Sequence, residues 1–297
     1  MSDRYSSRPS NLRSLRDRLA LASRWEGVPF GRLQRHVAVL VVAQFMASLT
    51  DTGGFPAILV KGGSALEFRC GVSRSRASRD LDAVTGHDLH VLLQELAVAA
   101  SRGWQGFTGA LTEPEAIDVP ELAVKPLRFT VKVKYAGAPF VSVPVEVSPA
   151  EAGNADQVEW ATSSALELVG LPMATPVPCM TIPWQVGQKL HAVTTKLSDG
   201  RPNDRAHDLV DLQILEALAP AESLADIRRA CLAVFEVRAQ QHWPPQVAVP
   251  AHWASIYTAA LESVPEMGFA VDVHQAAAQV NAFIRRVDEH RDQQPRT

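Results

Sequence analysis

The run Leu59-Val60-Lys61-Gly62-Gly63-Ser64-Ala65-Leu66-Glu67, followed a short loop later by Ser78-Arg79-Asp80-Leu81-Asp82-Ala83-Val84, constrains this chain more than any other stretch. An apolar segment that ends in Gly-Gly-Ser and passes into amphipathic Ala-Leu-Glu-Phe predicts a buried strand, a tight turn and a helix N-terminus. The unpaired backbone N–H groups of such a terminus suit phosphate oxygens, which makes Gly63 and Ser64 candidate phosphate contacts. In the second piece Asp80 and Asp82 stand at i and i+2 of a short strand pattern, so both project from one face and can grip a divalent cation together. Glycine turns and acidic strand ends are each common as plain structural features; their combination points to chemistry.

Before this core lies an arginine-rich segment. Residues 1–10 are rich in serine and arginine and are expected to fray, and Ser10-Asn11 can cap a helix that carries Arg13, Arg16, Arg18 and Arg24 opposite Leu12, Leu15 and Leu19. Its basic face suits either a phosphate backbone or solvent. Residues 30–49 read as a largely buried helix, closed by the Asp51-Thr52-Gly53-Gly54 turn. After Asp82, Gly86-His87-Asp88 starts another helix that reaches about residue 100. His87 and His90 fit capping or surface roles better than ligation. Residues 104–111 and 127–135 have strand composition, and Arg128 to Tyr135 alternates as a half-buried antiparallel strand should, with a basic outer face.

A further strand follows Pro139, and in Phe140 to Val147 one glutamate, Glu146, sits among apolar neighbours. A buried carboxylate costs several kcal/mol unless a cation or hydrogen bonds compensate, so Glu146 needs a partner. The plain alternative is an edge-strand glutamate facing water, which Pro144 would permit. Residues 150–183 are loop-rich, punctuated by Pro172, Pro176, Pro178 and Pro183 just after Pro149, and read as a crossover between lobes. Beyond them the helical period dominates, over 184–197, 205–217, 221–238, 252–261 and 273–290, with a break at Trp243-Pro244-Pro245.

Composition excludes several classes. The 297 residues, 46% hydrophobic and 21% charged, suffice for one large or two modest domains with a real core. No run has the length and apolarity to cross a bilayer, and the polar N-terminus lacks a secretory pattern; a cytoplasmic protein with no membrane partner is the expectation. Cys70, Cys179 and Cys231 are widely spaced and odd in number, which argues against a disulfide framework and a zinc site. A net charge of −3 gives no global attraction to nucleic acid, so any RNA contact needs local basic patches.

A second charged constellation lies in the helical half. The helix around Gln188-Lys189-Leu190-His191 is joined through Ser198-Asp199-Gly200-Arg201-Pro202-Asn203 to one carrying Asp208 and Asp211 at i and i+3. The short connection makes the two helices antiparallel neighbours, and Lys189 can then meet the acidic face. Taken alone this reads as an ordinary interhelix ion pair.

The order Gly-Gly-Ser, helix, loop, Asp-x-Asp resembles the first motif of polymerase-β-like nucleotidyltransferases. The wording Lys-Gly-Gly-Ser-Ala-Leu-Glu with Ser-Arg-Asp-Leu-Asp, and the distal Lys-Leu-x-Ala followed by Asp-x-x-Asp-Leu, is similar to the AbiEii/AbiGii-type toxins of bacterial toxin–antitoxin systems, including the MenT toxins. The resemblance spans about Lys61 to Leu212. One departure is His207, where many relatives have lysine; it puts a second basic phosphate contact in doubt.

That resemblance implies an α/β protein of two lobes: a nucleotidyltransferase lobe with a mixed sheet, set at residues 1–175, and a mostly helical lobe at 176–297 that contributes Lys189 and Asp211. It implies a nucleotidyltransferase that moves a nucleotide from an NTP to tRNA, at the 3′ end, blocking aminoacylation and translation. Asp80, Asp82 and Glu146 would hold one or two Mg²⁺ ions. Asp80, Lys189 and Asp211 would be catalytic, and Gly63, Ser64, Lys189 and Asp208 would bind the nucleotide. Arg13, Arg16, Lys132 and Lys134 are candidates for an RNA path. Transfer to a protein or small-molecule hydroxyl would use identical metal chemistry, and a non-catalytic RNA-binding module is the remaining alternative. A toxin needs an off state, and Ser78, in an arginine-rich loop two residues before Asp80, is a candidate phosphorylation switch for a cognate antitoxin acting by modification, with Arg76 or Arg79 as phosphate partners. The plain alternative for Ser78 is a turn residue or strand cap.

Overall fold

A computed structural model describes residues 5, 7–78, 80–118, 124–196, 200–220, 223–264 and 268–290; Arg79, Ser198 and Asp199, named above, lie outside the described residues. Two compact units are present. One comprises Met1–Ser73, Ala77–Ala150 and Ala155–Met180, the other Arg74–Arg76, Glu151–Asn154 and Thr181–Thr297.

In the first unit, α1 (Leu12–Glu26) starts where the Asn11 side chain accepts a hydrogen bond from Ser14 N, and it stops at Gly27, in the left-handed region. Leu15, Leu19 and Ala22 face the core, while Arg13 and Arg16 stay exposed. The next helix, α2 (Phe30–Ala47), is buried along most of its length because its sequence is apolar on nearly every face. Gln44 inside it is satisfied by Thr175, through its amide to the backbone carbonyl and its carbonyl oxygen from the Thr175 N–H and hydroxyl.

The sheet comprises β1 (Leu59–Lys61), β2 (Leu81–Thr85), β3 (Phe107–Leu111), β4 (Glu115–Ala116), β5 (Leu127–Tyr135), β6 (Ala138–Pro149), β7 (Glu159–Ala161) and β8 (Val177–Cys179). Their order is β3-β5-β6-β2-β1-β8-β7, with β4 also pairing β5. It is a mixed sheet: β2 with β6 and β1 with β8 are parallel, the rest antiparallel. The alternation of β5 is realised residue by residue. Leu127, Phe129, Val131, Val133 and Tyr135 are buried, while Arg128, Lys132 and Lys134 are exposed. Helix α4 (Leu89–Arg102) is capped by the Asp88 carboxylate, which accepts from the His90 and Val91 amides.

One alternative falls here and two expectations change. Strand β6 is central, not an edge, and tolerates Pro144 for a local reason. Opposite it, Thr130 directs its N–H and carbonyl to Thr112, and pairing with β2 begins only at Val145, so no partner at that level needs a Pro144 donor. The segment 150–183 is more than a loop: it supplies β7 and β8, which extend the sheet beyond β1. The motif strand passes directly into α3 (Gly62–Cys70), with no intervening turn.

Two sets of polar contacts hold the C-terminal half of helix α3. Glu67, almost wholly buried, faces His36 Nδ1 at 3.3 Å and Arg32 Nε at 3.9 Å, and the other nitrogen of His36 lies 3.0 Å from Ser163 Oγ. At its C-terminus Arg69 donates to Glu159 Oε2 at 2.9 Å and to the Met180 carbonyl at 2.7 Å.

The second unit is helical: α5 (Ile182–Thr194), α6 (Asp208–Leu218), α7 (Leu224–Arg238), α8 (Trp253–Leu261) and α9 (Val273–Glu289). Its interior is filled by Leu190, Leu209, Leu215, Val234, Tyr257, Phe283 and Ile284. Gln213 is buried and satisfied by the Tyr257 hydroxyl, the Leu209 carbonyl and the Ala270 amide. No helix among the described residues is long and apolar enough to cross a membrane. The cysteines are free thiols, and burial pushes the Cys179 thiol up to about 12.

Candidate active site

In the first unit the charged groups fall on one row across four strands. Lys61 pairs in register with Asp82, Asp82 with Glu146, and Glu146 with Arg128. Register partners share a face, so this row runs cation, anion, anion, cation, with the two carboxylates side by side. Lys61 Nζ also lies 3.0 Å from Ser148 Oγ. Arg128 Nη2 meets Glu146 Oε2 at 3.2 Å, so the partner that Glu146 needed is a cross-strand arginine. Asp80 stands just before β2, with its side chain exposed, and Asp82 is half-buried within the strand.

The Gly-Gly-Ser start of α3 is fitted to these carboxylates. Gly62 has φ +64, and a Cβ there would come within 2.6 Å of Asp82 Oδ2. Only glycine satisfies both constraints. Ser64 is fully buried and its hydroxyl donates to the Asp80 carbonyl at 3.1 Å; that same carbonyl accepts from Ser78 Oγ at 2.8 Å. Two hydroxyls thus fix the backbone that carries Asp80. Gly63 lies buried in the first turn of α3, where helical N–H groups have no intrahelical acceptor. Ser78 is half-buried and its carbonyl accepts from Arg35 Nε at 3.1 Å.

Gly62→Ala is expected to displace the Asp82 carboxylate and to place a Cβ in the left-handed region, at a cost of about 1–2 kcal/mol. Nucleotidyl transfer should fall at least about tenfold while the melting temperature drops by only a few degrees, roughly the shift such an energy produces. A Gly62→Ala protein with unchanged transfer would show that this close approach is without consequence.

The second unit holds a separate cluster. Lys189 Nζ lies 2.7 Å from Asp208 Oδ1 and 2.7 Å from Asp211 Oδ2. Both aspartates are almost wholly buried. Arg76 joins through Nη2 to Asp211 Oδ2 at 2.9 Å and Nε to Asp211 Oδ1 at 3.3 Å. Arg205 Nη1 is 3.6 Å from Asp208 Oδ2. The expected meeting of Lys189 with the acidic face of α6 is therefore present, whereas Arg76, named from the sequence only as a partner for a modified Ser78, is engaged with Asp211. Burial alone would lower the Lys189 pKa, but Asp208 and Asp211 outweigh it and hold the ammonium above its usual value. Burial would raise Asp211, but Lys189 and Arg76 reverse that and keep it well below the carboxylate range; Asp208 is likewise lowered, mainly by Lys189. Burial is the chief cause that pushes His207 below its usual value, with Asp208 opposing it.

Among the described residues no three His, Cys, Asp or Glu side chains are grouped as a metal ion requires. The Asp80–Asp82 pair nevertheless fits a magnesium ion that takes one or two protein carboxylates and completes its shell with substrate phosphates. Glu146 stands in register beside Asp82 and carries Arg128.

A mixed α/β unit with a Gly-Gly-Ser helix start set against an Asp-x-Asp strand defines the nucleotidyltransferase class. Residues 44–294 match the family described as nucleotidyl transferase AbiEii toxin, type IV toxin–antitoxin system, and the chain belongs to that family. It is a nucleotidyltransferase toxin, and the family implies an NTP substrate and an antitoxin partner. Among solved structures it is similar to MenT4, nucleotidyltransferase toxin Rv2826c from Mycobacterium tuberculosis H37Rv, at 17% identity and a TM-score of 0.49, covering 91% of this chain and 97% of that one. No curated protein matches the chain.

Proposed function

We propose that the chain transfers a nucleotide from an NTP to the 3′ end of tRNA in a magnesium-dependent reaction, with release of pyrophosphate, and so blocks aminoacylation. The observation that carries the reading is the Asp80–Asp82 pair, intact and braced by Ser64, Ser78 and Gly62, in a chain whose family is that of nucleotidyltransferase toxins. Asp80 and Asp82 are the metal ligands, and Glu146 is the third candidate, at present carrying Arg128. When bound, the metal supplies charge neutralisation for the triphosphate and acidifies an acceptor hydroxyl. Backbone N–H groups at Gly63 and Ser64 contact phosphate oxygens. Lys189 serves the same reaction as a phosphate contact, held ready by Asp208 and Asp211. The exposed Arg13, Arg16, Lys132 and Lys134 offer cations to an RNA backbone.

Incubation with each labelled NTP, total tRNA and Mg²⁺ tests the reading. Label on tRNA supports it, whereas label on protein alone would redirect the acceptor to a protein hydroxyl, and no label with any acceptor would favour a non-catalytic RNA-binding role.

Ser78 is the proposed site of regulation by phosphorylation. A phosphate there would remove the hydroxyl that braces the Asp80 carbonyl and add about −1.5 to −2 charges beside the metal ligands. Ser78→Asp is expected to lower transfer at least about tenfold by like-charge repulsion. Full activity in that variant, with unmodified Ser78 on co-expression with the antitoxin, would remove the switch.

A further inference from the structure

Arg76 makes a two-point contact with Asp211, one of the most deeply buried carboxylates of the chain. Its Nη2 and Nε reach Asp211 Oδ2 and Oδ1 at 2.9 and 3.3 Å, and Asp211 is 0% exposed. The same Oδ2 accepts from Lys189 at 2.7 Å, so one carboxylate serves two cations. Without Arg76, Lys189 would face Asp208 and Asp211 as the cation shared between two buried anions, and their combined attraction would pin it. Moving such a lysine onto a phosphate would leave a buried carboxylate unpaired, which is strongly unfavourable. With Arg76 in place, Asp211 keeps a bidentate partner of fixed fork geometry when the ammonium departs.

We infer that Arg76 is a positioning residue for nucleotidyl transfer: it takes a share of the Asp211 carboxylate and so leaves Lys189 free to exchange Asp211 for a nucleotide phosphate oxygen. This rests on the reading of Lys189 as a phosphate contact. Arg76 acts through Asp211 and is not itself in contact with the substrate. The effect therefore belongs to NTP binding and turnover, and it depends on the Asp211 charge.

The test is a titration of the full chain with each fluorescent NTP, paired with labelled transfer to tRNA, for wild type, Arg76→Ala, Arg76→Lys, Asp211→Asn and the Arg76→Ala/Asp211→Asn double variant. Arg76→Ala is expected to weaken NTP binding roughly ten- to a hundredfold, the scale of one charge-assisted hydrogen bond. Arg76→Lys should fall between it and wild type, because it keeps the charge and loses the fork. In the Asp211→Asn background, Arg76→Ala should add less than about twofold, since coupled residues are non-additive. A merely structural arginine would instead lower the melting temperature and leave NTP affinity per folded molecule unchanged; that result overturns the inference. An equal loss in both backgrounds also overturns it, because Arg76 would then act elsewhere. If Arg76→Ala does not fold, Arg76→Lys carries the test with the charge retained. A Lys189→Ala variant separates the two levels. Wild-type NTP binding by Lys189→Ala overturns the premise as well, whereas impaired Lys189→Ala beside wild-type Arg76→Ala overturns this inference alone.

Discussion

Asp80→Ala is expected to abolish labelled transfer to tRNA, by on the order of 10³-fold or more, with the melting temperature within about 2 °C of wild type. The two halves of this expectation have separate physical sources. The Asp80 side chain is exposed and fills no core, so its removal leaves no cavity. The contacts that hold the segment in place are made by the Asp80 backbone carbonyl, which accepts from Ser64 and Ser78 and is unchanged by the substitution. What is lost is one of two carboxylates able to grip magnesium, and a single remaining aspartate offers half the charge against a strongly hydrated ion. Isothermal titration with Mn²⁺ in the presence of NTP gives a readout independent of turnover: the variant should bind the ion more weakly. A folded Asp80→Ala protein that labels tRNA at the wild-type rate would remove this carboxylate from the mechanism.

Most of the architecture was legible because its signals are periodic. The alternation from Leu127 to Tyr135 named both the strand and its buried side, and Asp88 before a run of leucines marked the start of α4. The five C-terminal helices were found with boundaries off by a few residues, the first expected at 184–197 and observed at Ile182–Thr194. Strands β7 and β8 were illegible because three residues hold no period, and their place in the sheet is set by partners distant in sequence, Val60 for Cys179. Lys189 with Asp208 and Asp211 could be anticipated, since an i, i+3 acidic pair beside a short interhelix connection limits where a nearby lysine can reach. Arg76 could not, because 135 positions separate it from Asp211 and nothing in a serine–arginine loop indicates which carboxylate an arginine will find. Glu146 shows the intermediate case. Its apolar neighbours in sequence suggested a buried carboxylate in need of a partner, but the side chain is only half-buried, and choosing Arg128 needed the β5–β6 register.

Replacing Lys189 separates its two roles, because the same ammonium stabilises the helical unit and serves the reaction. In Lys189→Met the Asp208 carboxylate, 1% exposed, loses its 2.7 Å cation and retains Arg205 at 3.6 Å and the His207 ring at 3.8 Å. Stripping one partner from a buried pair costs about 3–5 kcal/mol, so the melting temperature should fall by about 10 °C or more. The pH dependence should also change sign. In the wild type Asp208 and Asp211 titrate below the unfolded value of about 3.9, so the stability they contribute is present above that value and is lost as pH falls through their folded values. In Lys189→Met desolvation prevails at Asp208 and raises its pKa above the unfolded value; that contribution is then present in acid and lost as pH rises. The variant should therefore recover part of its deficit relative to wild type when pH is lowered from neutrality to about 5. Lys189→Arg retains the charge, but its longer side chain and broad planar guanidinium do not fit the compact position that the ammonium holds 2.7 Å from both carboxylates, so it should restore stability in part and leave transfer depressed at least about tenfold. Transfer is measured well below each variant's melting temperature, which keeps unfolding out of the rate. Wild-type transfer by both Lys189→Met and Lys189→Arg would confine the lysine to holding α5 against α6.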